Sequence, residues 1–241
     1  MNACGEGEES PSPSVCYMKG LVMNTLMTVN LAILVCAALG VLFGIRYLLT
    51  RKNLYASMIV LGVSCLALGR LYQCARLWTG GLLTERFQPG ILGIMGAFSF
   101  FFSSNYGQVD SLVDDGGERM KKYRRLGLIG AAYVIALTIP ILVSPTQIGF
   151  KVGCALSAIM MACACYFHVK HLFIPDVDRG VVHCLRGYNA LAVALSVLSL
   201  CELNALTYGW NAVLVISGAG ECIAALLLVP MMDRGVKKWT T

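Results

Sequence analysis

Three ionisable residues lie where apolar surroundings make them costly. Glu221 sits in AVLVISGAGECIAALLLVP (212–230), a stretch otherwise built from apolar and small residues. On a helix it shares a face with Ser217, Gly218, Ala224 and Ala225, while Val213, Ile216, Ile223 and Leu227 turn the other way. The small face suits a protein neighbour and the bulky face suits lipid, so the carboxylate is expected to point into a bundle. Arg70 shares a face with Ala67, Gln73 and Cys74, and Glu202 follows Ser199 by one turn. A charge at the bilayer centre costs about 2.5–3.5 kcal/mol on insertion scales, so each needs a partner, a proton or water. One base and two acids allow three kinds of chemistry. They can form an internal ion pair that fixes helix register, a pocket that recognises a charged ligand, or a path for a proton or ion.

Two further stretches hold chemistry-prone side chains. CACYFHVKH carries Cys163, Cys165, His168 and His171, and His183 follows in the next connector. Steps of three put Cys165, His168 and His171 loosely on one face, a weak candidate for zinc because the spacing fits no specific zinc pattern. Histidines beside Lys170 at a membrane edge also need no metal. The connector 108–124 holds Asp110, Asp114, Asp115 and Gly116-Gly117, followed by Lys121, Lys122, Arg124 and Arg125. Its acids lack the spacing of a calcium loop. The basic run reads as an anchor to anionic lipid, with Asp114, Asp115, Lys121, Lys122, Arg124 and Arg125 as candidate contacts for a cytoplasmic partner.

The elements that position these groups follow from composition. Of 241 residues, 57% are hydrophobic and 13% charged, with mean hydropathy +0.71. A soluble domain has about 25% charged residues. A bilayer core of about 30 Å needs roughly 20 apolar residues per helix. Seven segments meet that length: 20–48, 54–78, 88–107, 125–143, 147–169, 185–206 and 210–231. Most connectors are short, which predicts one all-α bundle of antiparallel neighbours. The chain divides into a polar acidic tail (1–19), a seven-helix domain (20–231) and a short basic tail (232–241).

Most of the 19 Lys and Arg residues fall on one side if the N-terminus lies outside. That side holds Arg46, Arg51, Lys52, Arg119, Lys121, Lys122, Arg124, Arg125, Lys170, Arg179, Arg186, Arg234, Lys237 and Lys238. The positive-inside bias predicts an N-out, C-in protein. The net charge of +6 then needs no nucleic acid; the lipid bilayer is the expected partner. No cleavable signal peptide is expected, because the first residues are acidic. The absence of Asn-x-Ser/Thr sites fits a bacterial inner membrane. Most of the 11 cysteines fall in apolar runs, where cysteine acts as a small hydrophobe. Cys4 and Cys16 lie in the tail and could pair if it is exported.

Small residues mark close helix approaches. Gly40 and Gly44 lie one turn apart on the first helix, and Gly90, Gly93, Gly96, Ala97, Ser99, Ser103 and Ser104 form a stripe on the third. Counted at 1.5 Å per residue, Arg70, Glu202 and Glu221 lie at depths of about 12, 6 and 16 Å from the outer surface. No comparable cluster is expected in the inner half. Segment 210–231 has no lysine for a retinal Schiff base, and the receptor signatures Asp-Arg-Tyr and Asn-Pro-x-x-Tyr are missing. Gly-x-Ser-x-Gly is missing as well.

These features lead to a non-enzymatic membrane protein, with no cofactor. The first functional reading is a sensor or receptor-like module. Its outward-opening polar pocket (Arg70, Gln73, Glu202, Glu221) would signal to a cytoplasmic regulatory protein, since only 11 residues follow Pro230. The alternative is a small proton- or ion-coupled transporter or channel using Glu202 and Glu221. A lipid-modifying enzyme centred on the Cys/His run is the third.

Overall fold

A computed structural model describes residues 13–50, 53–81, 83, 88–110, 117–174 and 181–240; the side chains of 13–22, 119, 181–182 and 239–240 are not described. All regular structure among these residues is helical. The seven α-helices are α1 (Pro13–Thr50), α2 (Leu54–Trp78), α3 (Pro89–Ser104), α4 (Lys121–Val143), α5 (Ile148–Phe173), α6 (Val181–Tyr208) and α7 (Asn211–Thr240). Six of them, all but α3, are long and apolar enough to cross a membrane. Helices satisfy their backbone groups internally, as an apolar solvent requires. The protein is therefore a multi-pass helical membrane protein in contact with lipid. Cys4, Asp114, Asp115 and Arg179 lie outside the described residues, as do Arg51 and Lys52.

Local chemistry sets the helix ends. The Asn53 side chain accepts a hydrogen bond from the Tyr55 amide at 2.9 Å and caps α2. Pro89 occupies the first turn of α3, where its missing N–H costs nothing. Gly209 adopts φ +71 between α6 and α7, a conformation that a side chain would oppose. Two helices outrun their expected bounds. Helix α1 begins at Pro13 rather than at 20, and α7 continues through Pro230 to Thr240 rather than stopping at 231. The basic residues Lys237 and Lys238 thus close the last turn of α7, where they complement its dipole.

Six helices form a ring in the order α1, α2, α3, α5, α6, α7, closed by contact of α7 with α1. Helix α4 lies outside it, packed on α5 and α6. It buries only a narrow stripe of Gly127, Val134, Thr138 and Ile141, and turns Leu128, Ile129, Tyr133 and Ile139 outward. Two polar links tie it to α6: Asn204 Nδ2 donates to the Leu137 carbonyl and the Tyr208 hydroxyl donates to the Pro140 carbonyl. Both α3 and α4 pack on α5, so these two sequence neighbours sit on either side of it. The cause is the content of α5, which buries Ser157, His168, Lys170 and His171 and so takes an interior place.

Small residues bring the ring helices together as their spacing predicts. A Cβ at Gly93 would lie 2.5 Å from the Gly69 Cα and 2.7 Å from the Cys65 carbonyl oxygen. Gly40 and Gly44 serve different neighbours, since added Cβ atoms would strike the Ala225 carbonyl of α7 and the Val60 side chain of α2. The obstacles at Gly69 and Gly93 are backbone atoms, which cannot move aside alone. Gly69→Ala is expected to destabilise the bundle by about 1–3 kcal/mol, read from the midpoint of thermal unfolding in detergent micelles.

Candidate functional site

The three isolated charges meet. Arg70 is delivered by α2, Glu202 by α6 and Glu221 by α7, from three points of the ring. The Arg70 guanidinium takes Glu202 as a fork: Nη1 donates to Oε1 at 2.6 Å and Nη2 donates to Oε2. The same Nη2 donates to Glu221 Oε2 at 2.5 Å. Arg70 Nη1 also donates to Gln73 Oε1 at 3.2 Å and to Asn30 Oδ1 at 3.0 Å. Asn30 is oriented by its own amide, which donates to the Leu26 carbonyl one turn back on α1. Ser199 lies beside Glu221 without hydrogen-bonding geometry. The planar fork matches a carboxylate better than a lysine would, which suits arginine to a dry site.

None of Asn30, Arg70, Gln73, Glu202 and Glu221 is more than 2% exposed. The expected outward-opening pocket is therefore closed in this structure, and the reason is visible in the packing. Leu26, Leu77, Leu83, Ala205 and Leu214 form an apolar cluster apart from the main core, with Met23, Met27 and Leu206 against it. Each helical member lies one or two turns beyond a charged-site residue, toward the α6–α7 turn. Val63, Leu66, Ala224, Ala225 and Leu228, in the main core, seal the other side. The outer face of α7 agrees with the sequence pattern: Ile216 and Ile223 are exposed, while Ser217 and Ala225 are buried.

The bundle also holds a second polar cluster, at the end where α1 meets α2, contrary to the expectation that this half lacks one. Its core is His168, His171 and Lys170 near the C-terminal end of α5, all buried in the bundle. They face Asn105 and Asp110, the first residue of the π-helical turn Asn105–Val109 that continues α3 and the residue that follows it, and Asn189 of α6. The Asp110 carboxylate accepts from Lys170 Nζ and pairs with His171 Nε2 at 3.1 Å. Lys170 also lies over the rings of Phe167 and Tyr166. Sequence reasoning missed Asn30, Asn105, Lys170 and Asn189 as partners. A lone asparagine in the apolar run TVNLAILV was the available signal for Asn30.

The remaining sequence candidates stay apart. Cys165 is buried near Ser196 and does not join the histidines. Among the described residues, no group of three or more His, Cys, Asp or Glu is arranged to hold a metal. Lys121, Lys122 and Arg125 are exposed at the start of α4, with Arg124 half-buried; Lys121 lies 3.6 Å from Glu118. No protein family matches the chain, and no curated protein or solved structure is significantly similar to it.

Two outcomes follow from this geometry. Arg70→Met leaves two buried carboxylates without their counter-charge and is expected to cost about 3–5 kcal/mol, measured by denaturation in detergent. At Asp110, burial pushes the carboxyl upward, but hydrogen bonds from His171 and Lys170 and their charges outweigh it and hold the group below its usual value. A carboxyl lowered on folding stabilises above its unfolded value, about 3.9, and loses that contribution as pH falls through the folded one. Thermal stability should therefore fall on acidification below about pH 4, by less in Asp110→Asn than in the parent chain.

Proposed function

We propose that the protein is a small proton- or cation-coupled transporter or channel, in which Glu202 and Glu221 carry the mobile charge and Arg70 is their fixed counter-ion. One observation carries the reading: two sealed carboxylates share a single guanidinium. With both acids ionised the site holds one negative charge more than its arginine balances. An uncompensated ion in such surroundings costs several kcal/mol, so a proton or a monovalent cation completes the site. Glu202 is held at both oxygens by the arginine fork and Glu221 at one. Glu221 is therefore the better placed to take up and release the mobile charge.

On this reading the apolar layer around Leu77 and Leu214 closes the site from the outer side. The third helix and its π-helical turn complete a seven-span bundle. The N-terminus lies outside and the basic ends lie in the cytoplasm of a bacterium, in accord with the distribution of Lys and Arg. No catalytic role is assigned. A sensor that passes a conformational change to a cytoplasmic protein is the second reading, supported by the exposed basic residues Lys121, Lys122 and Arg125 on the peripheral helix α4. The buried site favours the first, because recognition of an external ligand needs an open pocket.

Purified protein in liposomes with an imposed pH, sodium or potassium gradient tests the choice. Wild type is expected to dissipate one of these gradients, and Glu221→Gln to slow that flux at least about tenfold. Flux unchanged in Glu221→Gln, or absent from the wild type, overturns the transport reading in favour of the sensor.

A further inference from the structure

The charged site leaves the second polar cluster without a role, although that cluster is a continuous set of hydrogen bonds running from a partly exposed acid to a buried ring. Asp110 retains 19% of its side-chain exposure. His171 engages it through Nε2 at 3.1 Å and engages Asn105 Oδ1 through Nδ1 at 3.3 Å. Asn105 Nδ2 in turn lies 2.6 Å from His168 Nδ1 and donates to Asn189 Oδ1 at 3.1 Å. The far ring nitrogen, His168 Nε2, is buried without a hydrogen-bond partner, as is Asn189 Nδ2. A fully buried polar atom left unpaired costs free energy, so a site kept this way calls for an explanation other than packing.

We propose that Asp110 and His171 form a second proton-exchange station, at the end of the bundle away from the apolar plug, and that the Asn105 amide separates it from a deeper station at His168. This rests on reading the Arg70 site as one that takes up a proton. Imidazole can take a proton at one ring nitrogen and release one at the other, so His171 exchanges a proton with Asp110 at Nε2, and release from Nδ1 needs an acceptor in the place of Asn105 Oδ1. A carboxylate within hydrogen-bonding reach is the natural base for that exchange. Asn105 stands on the far side of His171, and an amide has no equivalent pair of exchanging sites. Transfer therefore stops at Asn105 until its side chain swings away or water replaces it.

The other groups facing the rings fit this role. Lys170 on α5 holds the Asp110 carboxylate, Tyr188 of α6 packs edge-on against His168, and Tyr55 of α2 packs against Tyr188. Tyr188 in turn lies 3.3 Å from the Ser104 hydroxyl of α3. From the deep station, α6 offers a route to the first site. Asn189, Ser196, Ser199 and Glu202 are all buried along it and span about 20 Å at the helical rise. On this reading leucines close the charged site at one end, and the main apolar core and then the Asn105 amide stand between it and the other end.

Exchange of the ring N–H protons with water tests the assignment without measuring transport. The full chain, labelled with 15N-histidine and carrying His183→Gln to remove the third histidine signal, would be placed in lipid nanodiscs. His171 is expected to exchange at least about tenfold faster than His168. Asp110→Asn should slow His171 toward the rate of His168, and Asn105→Ala should bring His168 up toward the rate of His171. Equal rates for the two rings in the parent chain overturn the proposal, and that comparison needs no further variant. A His171 rate indifferent to Asp110→Asn overturns it too, because a merely structural aspartate would leave the rate unmoved. Failure of Glu221→Gln to alter flux would sink the transport reading while leaving these exchange rates as they are.

Discussion

The burial of the Arg70 guanidinium is the constraint around which the bundle is arranged. A cation with at most 1% exposure cannot be left to lipid, and its donors point in fixed directions. Acceptors must therefore come to it from α1, α6 and α7 as well as from its own helix. That requirement places Asn30, Glu202 and Glu221 at one level and thereby sets the relative heights of four helices. A buried ion pair is weak evidence of net stability, because desolvating its members consumes much of what their attraction supplies. What the cluster provides is register: a slide of any one helix by a turn would strand a charge in an apolar layer.

Around that level the interior is stratified. Leucines and methionines lie on one side of the charges and the main apolar core lies on the other, with the histidine cluster beyond it. Helix α6 passes through every layer, supplying Ala205 to the plug, Glu202 to the charges and Asn189 to the histidine cluster, and it packs on α4, α5 and α7. Helix α4 supplies none to either cluster and sits outside the ring. The arrangement separates two duties, with polar ring helices specifying position and a mostly apolar outer helix covering α5 and α6 from lipid.

Much of this was legible in the residues. Length and apolar content identified the helices, and the alternation of small and bulky residues on 212–230 gave the buried face of α7. Three charges at similar depth gave the first site, because the cost of burying a charge leaves few alternatives to pairing. The second site was hidden because neutral amides carry two of its positions, Asn105 and Asn189, as Asn30 does at the first site, and composition gives such residues little weight. The order of the ring was hidden too, since short connectors imply adjacency but a connector as long as 108–124 allows α5 to lie between α3 and α4. Sealing was a further omission, because the plug draws one leucine from each of four separate segments and no single stretch announces it.

The π-helical turn after α3 has a bearing on how the second site is encoded. In a regular α-helix, residues five apart are rotated by about 140° from one another, so Asn105 and Asp110 would face different neighbours. The wider turn, closed by the hydrogen bond from the Asp110 amide to the Asn105 carbonyl, brings both side chains to one histidine. It amounts to one extra residue accommodated within a helix. The alignment of this site is thus stored in chain length as much as in residue identity: loss of a single residue between Asn105 and Asp110 would preserve every functional group and dismantle their meeting.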